Sequence, residues 1–77
     1  MRIRLYGRLA DAIAPEVDLA VAGCSVGEVR SRLAAEHAAA AQSLEASRAV
    51  IADAFVGEER IVGESEKLEF LPPVSGG

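Results

Sequence analysis

The chain has 77 residues, of which 51% are hydrophobic and 26% charged, and its formal net charge is −4. This length and composition predict one folded domain around a single small core, and they exclude a disordered chain, which would contain fewer apolar residues. The negative charge excludes the basic surface that a nucleic-acid backbone requires, so nucleic acid is not an expected partner.

The amino-terminal part reads as a strand, a short helix and a second strand. Residues 2–6 alternate between polar and apolar side chains, the pattern of a strand with one buried face. Leu9 and Ile13 are four positions apart, which predicts one or two helical turns before Pro15 ends them. Residues 16–21 alternate again and predict a second strand, antiparallel to the first.

The clearest local signal is a helix start. Ser25 and Glu28 have the spacing of a capping box, in which each side chain accepts a hydrogen bond from the backbone of the other residue. Cys24 and Val29 flank the cap at the two positions of a hydrophobic staple, so Cys24 is interpreted as a small apolar side chain. We expect this helix to pack on the sheet and to fray after His37, in an alanine-rich stretch.

The second half of the chain supplies the remaining strands. Short β-prone runs lie on both sides of Asp53. Ile61 and Val62 offer a further strand or edge, and residues 67–71 alternate between polar and apolar side chains. The order strand, strand, helix, strands predicts an α+β fold in which one main helix covers one face of a small mixed sheet.

The side chains offer no catalytic constellation. The chain has one Cys and one His, which excludes Cys/His metal clusters, so no metal site and no bound cofactor are expected. Cys24 and His37 would lie about 20 Å apart along one helix, too far for a nucleophile and its base. The start lacks a signal peptide, and no apolar run approaches the roughly 18 residues that span a membrane, which predicts a cytoplasmic protein without a membrane partner.

The ending PPVSGG is the most specific feature of the sequence. Pro72 and Pro73 cannot donate to a sheet ladder and favour an extended chain, so we expect the chain to leave the sheet at Leu71. This predicts a folded domain of residues 1–71 followed by a flexible tail of residues 72–77 with a reach of at most about 20 Å.

The tail carries little besides its backbone. Val74 and Ser75 connect the prolines to Gly76 and Gly77, and two glycines remove every side chain next to the carboxylate of Gly77. A narrow channel in a partner enzyme could therefore admit this carboxylate, and an activating group could approach it closely.

The stretch LEFLPPVSGG, residues 68–77, resembles the ending of the MoaD/ThiS family of sulfur carriers. Its PPV-[S/T]-GG form resembles in particular the MoaD-type small subunit of molybdopterin synthase. The segments IRLYGRLAD and SVGEVRSRLA agree with the family's order of strands and helix. The chain departs from the family around Asp53 and Ala54, where the family often has Asn. It also departs at Glu64–Glu66, where the family has a DGD-like turn. The resemblance implies a ubiquitin-like β-grasp fold with a projecting C-terminal tail.

The resemblance also implies a reaction cycle at Gly77. A ubiquitin-activating-type adenylyltransferase, using ATP and Mg, would convert the carboxylate to an acyl-adenylate, and sulfur would displace AMP to give a thiocarboxylate. The tail would then enter the large subunit of molybdopterin synthase and donate sulfur to the pterin precursor of the molybdenum cofactor. The chain would be the non-catalytic carrier subunit of this hetero-oligomer.

Three alternatives stay open. The same terminal chemistry would serve a carrier for thiamin, cysteine or tRNA thiolation. A ubiquitin-like modifier would instead join Gly77 to lysine side chains of other proteins. An interaction module with an incidental tail would not need Gly76 and Gly77 at all.

Strand phase predicts a docking surface at the base of the tail. Tyr6 and Leu71 have the phase opposite to the core residues of their strands. The first and last strands of a β-grasp sheet are neighbours, so these two side chains would form an exposed apolar patch, extended by Phe55 or Val56. We expect this patch to bind the partner protein.

Overall fold

The structure is a computed structural model that describes residues 1–21 and 23–73. Within these ranges a five-stranded sheet is accompanied by three α-helices and one 3-10 helix. No helix in the described ranges is long and apolar enough to cross a membrane. In chain order the elements are β1 (Arg2–Leu5), α1 (Gly7–Ala12), β2 (Glu16–Asp18), α2 (Val26–Glu36), the 3-10 helix (Ala38–Ala40), α3 (Ala41–Ala46), β3 (Arg48–Ile51), β4 (Ala54–Val56) and β5 (Leu68–Leu71).

The sheet has the strand order β2-β1-β5-β3-β4. β1 and β2 are antiparallel, as predicted, with Arg2 opposite Asp18. β5 pairs in parallel with β1 and antiparallel with β3, so the last strand lies in the centre of the sheet. This mixed sheet with its helices on one face confirms the predicted α+β class.

The core lies between the sheet and the helices. Alternation places Ile3 and Leu5 of β1 and Leu68 and Phe70 of β5 on the same covered face, where all four are buried. Among the described residues, ten large side chains are essentially inaccessible to solvent and come from every layer: Phe70, Ile3, Leu5, Leu9, Leu33, Leu44, Leu68, Val26, Val29 and Val62.

Helix α2 begins as its capping box predicts. The Glu28 backbone N–H donates to Ser25 Oγ at 3.2 Å, and the Ser25 N–H donates to Glu28 Oε1 at 2.9 Å. The helix ends at Glu36 with His37 as its C-cap, which confirms the expected end of the helix. Cys24 packs against the core, in agreement with its interpretation as an apolar staple residue.

Three elements differ from the sequence-based expectations. The alanine-rich stretch does not simply fray, because Ala40 and Leu44 are buried in the core and the chain continues as the 3-10 helix and α3. The second strand is shorter than predicted and ends at Asp18, opposite Arg2. Ile61 forms only an isolated bridge to Ser25 and no strand.

Candidate functional site

The parallel pairing of β1 and β5 determines where the tail begins. Leu5 lies opposite Phe70, so the next residues along both strands bring Pro72 beside Gly7. Gly7 has a φ of +54°, and a Cβ atom at this position would lie 3.0 Å from Pro72 Cγ. Pro72 is half-buried at this point, and its ring therefore rests against a backbone that has no side chain.

The predicted tail is described only at its base. β5 ends at Leu71, as expected from the two prolines, and Pro73 is exposed. The predicted site residues Val74, Ser75, Gly76 and Gly77 lie outside the described residues. What the structure places is therefore the root of the tail, defined here as Gly7, Pro72 and Pro73.

A small concavity of about 190 Å³ lies at the root of the tail. Helix α3, which the sequence analysis did not predict, forms one wall of it. The guanidinium of Arg8, at the start of α1, lines the same space. The lining residues are Arg8, Gln42, Ser43, Ala46, Pro72 and Pro73.

The face of the sheet opposite the helices, called here the open face, has a charged side and an apolar side. Its charged side lies on β2 and β1, where Arg4 faces Glu16. Its apolar side lies on β3, β4 and the end of β5. Along one cross-strand row the order is Glu16, Arg4, Glu69, Val50 and Phe55.

The structure brings together three of the four predicted docking residues on this face. Tyr6 is 37% exposed and Phe55 is 66% exposed, which is unusual for side chains of this size, and Leu71 is half-buried beside them. They line a concavity of about 330 Å³ that also includes Val50, Asp53 and Glu69. We call Tyr6, Val50, Phe55 and Leu71 the apolar patch.

Val56 does not belong to the apolar patch. It lies opposite the buried Ala49 and packs against the core, so its side chain points to the helix side of the sheet. The sequence analysis missed Val50, which lies opposite Phe55 and Glu69. A signal was present, because Val50 must face away from its neighbours Ala49 and Ile51, but three consecutive apolar residues obscured the alternation.

Two carboxylates, Asp53 and Glu69, line the same concavity as the apolar patch. The Tyr6 hydroxyl donates a hydrogen bond to Glu69 Oε2. This hydrogen bond raises the pKa of Tyr6, because ionising the phenol would place two negative charges together. On the two sides of the patch, the Arg4 guanidinium lies 5.6 Å from the Tyr6 ring and that of Arg48 lies 5.1 Å from the Phe55 ring.

No metal-binding group accompanies these surfaces in the described residues, since no three His, Cys, Asp or Glu side chains come together there. The described site is thus a partly exposed apolar surface next to the root of the tail. Such a surface can hold a partner protein and direct the following residues toward it.

The fold of the chain is the ubiquitin-like β-grasp fold. SAMP1 from Haloferax volcanii aligns over 99% of this chain and 97% of its own, with a TM-score of 0.74 and 20% identity. A Pyrococcus furiosus protein assigned as molybdopterin converting factor, subunit 1, aligns over 95% of both chains with a TM-score of 0.80 and 12% identity. Another structure of the Haloferax volcanii small archaeal modifier protein 1 gives a TM-score of 0.72 at 16% identity over 95% of both chains.

These similarities show the shared fold. No family model and no curated protein matches the sequence. The predicted β-grasp architecture is therefore confirmed, and the chemistry of the tail is treated below as a proposal.

Proposed function

We propose that the chain is a sulfur carrier that works through the carboxylate of Gly77 in molybdenum cofactor biosynthesis. The observation that carries this proposal is the position of the sequence PPVSGG, which follows directly on the central strand β5. The parallel pairing of β5 with β1 places the root of the tail beside the apolar patch. A partner that binds the patch would therefore have the tail next to it.

The proposed chemistry begins with an unreactive group. A carboxylate is a poor electrophile, so one of its oxygens would attack the α-phosphorus of ATP and release pyrophosphate, which gives an acyl-adenylate. A sulfur nucleophile would then displace AMP and leave a thiocarboxylate at Gly77. Both steps belong to a partner adenylyltransferase that binds ATP and Mg²⁺, and the absence of side chains at Gly76 and Gly77 allows a close approach.

The adenylation step is tested by isotope exchange between pyrophosphate and ATP. We expect a ubiquitin-activating-type adenylyltransferase to catalyse this exchange when the intact chain is added. A chain that lacks Gly77 keeps the whole described fold and should give no exchange. Equal exchange with both chains would contradict activation at Gly77.

The docking role of the apolar patch is tested by Leu71→Glu, which places a charge where we expect an apolar contact. We expect binding to the adenylyltransferase or to the large subunit of molybdopterin synthase to weaken by at least about tenfold. Ser65→Glu adds the same charge in an exposed turn and should leave binding unchanged. Unchanged affinity of Leu71→Glu would exclude the patch as the docking surface.

Assignment to molybdenum cofactor biosynthesis is supported by the PPV-[S/T]-GG form of the tail and by the fold shared with the Pyrococcus furiosus protein. The thiocarboxylated chain should convert the cyclic pterin phosphate precursor when the large subunit of molybdopterin synthase is present. Transfer of sulfur only to a thiamin, cysteine or tRNA acceptor would support the carrier chemistry and contradict the assignment to molybdenum cofactor biosynthesis.

A protein modifier is the second candidate, and the likeness to small archaeal modifier protein 1 favours it. In this role the activated Gly77 would form an amide bond with lysine side chains. Conjugates that appear as a ladder on a denaturing gel, and disappear when Gly77 is deleted, would support it. Their absence under conditions that activate Gly77 would favour the carrier.

A further inference from the structure

Glu69 has an unusual position for a charged side chain. It lies on the central strand β5 between Arg4 of β1 and Val50 of β3, and it is half-buried. Tyr6, Val50, Phe55 and Leu71 line the same concavity, together with one other carboxylate, Asp53, so Glu69 places a charge among side chains that are mostly apolar or aromatic. A docking surface that served only apolar contact would not place a charge here.

The charge of Glu69 is only partly satisfied within the described residues. The Tyr6 hydroxyl donates to Oε2, and no cationic nitrogen lies within ion-pair distance of either carboxylate oxygen. Arg4 is the cross-strand neighbour, and its guanidinium lies 5.6 Å from the centre of the Tyr6 ring and close to the Tyr6 hydroxyl, without forming an ion pair with Glu69. Arg48 lies over the Phe55 ring, on the other side of the patch.

A partner that covers the apolar patch removes water from Glu69. A desolvated carboxylate with one neutral hydrogen bond is unfavourable, and a cation at hydrogen-bond distance compensates for the lost water. The net charge of −4 favours a basic partner surface as well.

We propose that the protein that docks on the apolar patch inserts an Arg or Lys side chain against Glu69. The inference rests on the proposed function, since it gives the partner of the tail a chemical feature. Glu69 is then a specificity residue: it admits partners with a cation at this point and rejects those with an apolar or acidic group.

The enzymatic test uses the adenylyltransferase and the pyrophosphate exchange assay. Glu69→Gln keeps the shape and removes the charge, and we expect it to raise the KM for the chain by about tenfold with kcat unchanged. Glu16→Gln is the matched control, because Glu16 is the other carboxylate opposite Arg4 on the open face, and its KM should stay within about twofold of the original. A KM for Glu69→Gln within this same range would overturn the proposal.

A second test does not depend on any partner enzyme. Ethylguanidinium and ethylurea have nearly the same shape and differ in charge. Each is titrated into the isotope-labelled chain while the NMR chemical shifts of the backbone amides are followed. We expect ethylguanidinium alone to shift the amides of Tyr6, Val50 and Glu69, and Glu69→Gln to abolish the difference. Equal shifts with both compounds would overturn the inference even if pyrophosphate exchange takes place. If ethylguanidinium alone shifts these amides but the chain supports no pyrophosphate exchange, the cation site stands and the carrier function is rejected.

Discussion

Arg30 of α2 connects several parts of the molecule. Its guanidinium donates to the Leu44 carbonyl at the end of α3, to the Ser47 carbonyl at 3.0 Å and to Ser47 Oγ at 2.7 Å. It also forms two hydrogen bonds of 2.8 Å with the Glu58 carboxylate and lies 4.9 Å from the centre of the Phe70 ring. One side chain thus connects α2, α3 and the loop after β4.

We expect Arg30→Met to lower the free energy of unfolding by about 2 kcal/mol, because it removes the donor to the part-buried Ser47 carbonyl and Ser47 Oγ and breaks the ion pair with Glu58. Arg32→Met is the matched control, since Arg32 is exposed on the same helix, and it should change stability by less than about 0.5 kcal/mol. Urea unfolding of the three chains measures this difference. Equal midpoints for Arg30→Met and Arg32→Met would contradict the connecting role of Arg30.

Gly7 is the residue that allows Pro72 to lie against the start of α1. Gly7→Ala places a side chain at positive φ and a Cβ 3.0 Å from Pro72 Cγ, so we expect it to destabilise the fold by about 1 to 3 kcal/mol. Pro72→Ala removes the contacted ring atom. In the Pro72→Ala background, Gly7→Ala should lower the free energy of unfolding only by the cost of its positive φ. If the losses of the two single variants, measured by urea unfolding, add up fully in the double variant, the contact between residues 7 and 72 is unimportant.

At the residue level, alternation alone predicted that Tyr6 and Leu71 face away from the core, because Tyr6 directly follows and Leu71 ends a strand with two clear core residues. The same rule could not choose between Phe55 and Val56, since β4 has only three residues and its register depends on Val50 of the neighbouring strand. Glu69 escaped notice for a related reason. Its importance arises from the side chains of three other strands that surround it, and no local pattern reports them.

The turn between β3 and β4 illustrates strain within an element. Ala52 and Asp53 have φ values of 52° and 64°, which is the left-handed region that two-residue hairpin turns require at both positions. Asn occupies this region more readily than Ala, whose Cβ makes it costly. The hairpin therefore forms despite an unfavourable residue at position 52.

We expect Ala52→Asn to stabilise the protein by about 0.5 to 1 kcal/mol because it relieves this strain. Ala52→Val provides the opposite control, since a β-branched side chain is least tolerated at positive φ, and it should destabilise the protein. In thermal unfolding, the Tm of Ala52→Asn should be higher than that of the original chain, and the Tm of Ala52→Val should be lower. Any other order would mean that the turn relaxes when residue 52 changes.

The loop between β4 and β5 depends on a single carboxylate. Two hydrogen bonds from the Arg60 guanidinium, at 2.9 and 2.7 Å, together with one from the Gly63 N–H at 2.7 Å, lower the pKa of Glu66 from 4.5 to about 2. A carboxyl whose pKa is lower in the folded state stabilises the fold above its ordinary pKa. This stabilisation is lost as the pH falls from about 4.5 toward 2.

We therefore expect Glu66→Gln to remove part of the acid sensitivity of the fold. The unfolding free energy of the original chain should fall more steeply between pH 5 and pH 2 than that of the variant, within the window set by the two pKa values. Glu64→Gln, in the same turn but exposed, should keep the steeper dependence. Parallel pH profiles for Glu66→Gln and the original chain would contradict the role of Glu66.

Elements with a complete local signal were predicted best. The capping box at Ser25 and Glu28 gave the start of α2 to the residue. α3 was missed, because the sequence analysis expected α2 to fray after His37 in alanine-rich sequence, and the helical continuation depends on the burial of Ala40 and Leu44 against the core. Ile61 and Val62 have strand propensity, but Val62 is used as a core side chain in a loop instead.

The whole molecule separates two tasks between the faces of one sheet. The helices bury the core on one face, and the open face keeps an apolar patch beside the root of the tail. This division follows from the central position of β5, which pairs with β1 and β3 and ends at Leu71. The order of elements in the sequence predicts the two layers, whereas the position of β5 between β1 and β3 is a long-range pairing that local patterns do not contain.

The central claim is that Gly77 is the reactive group of the chain. It is tested most directly by the intact mass of the protein after incubation with an adenylyltransferase, ATP, Mg²⁺ and a sulfur source. We predict a gain equal to the replacement of one oxygen by sulfur, and no gain for a chain that lacks Gly77. An unchanged mass with adenylyltransferases that are shown to activate their own carriers would contradict the sulfur-carrier function.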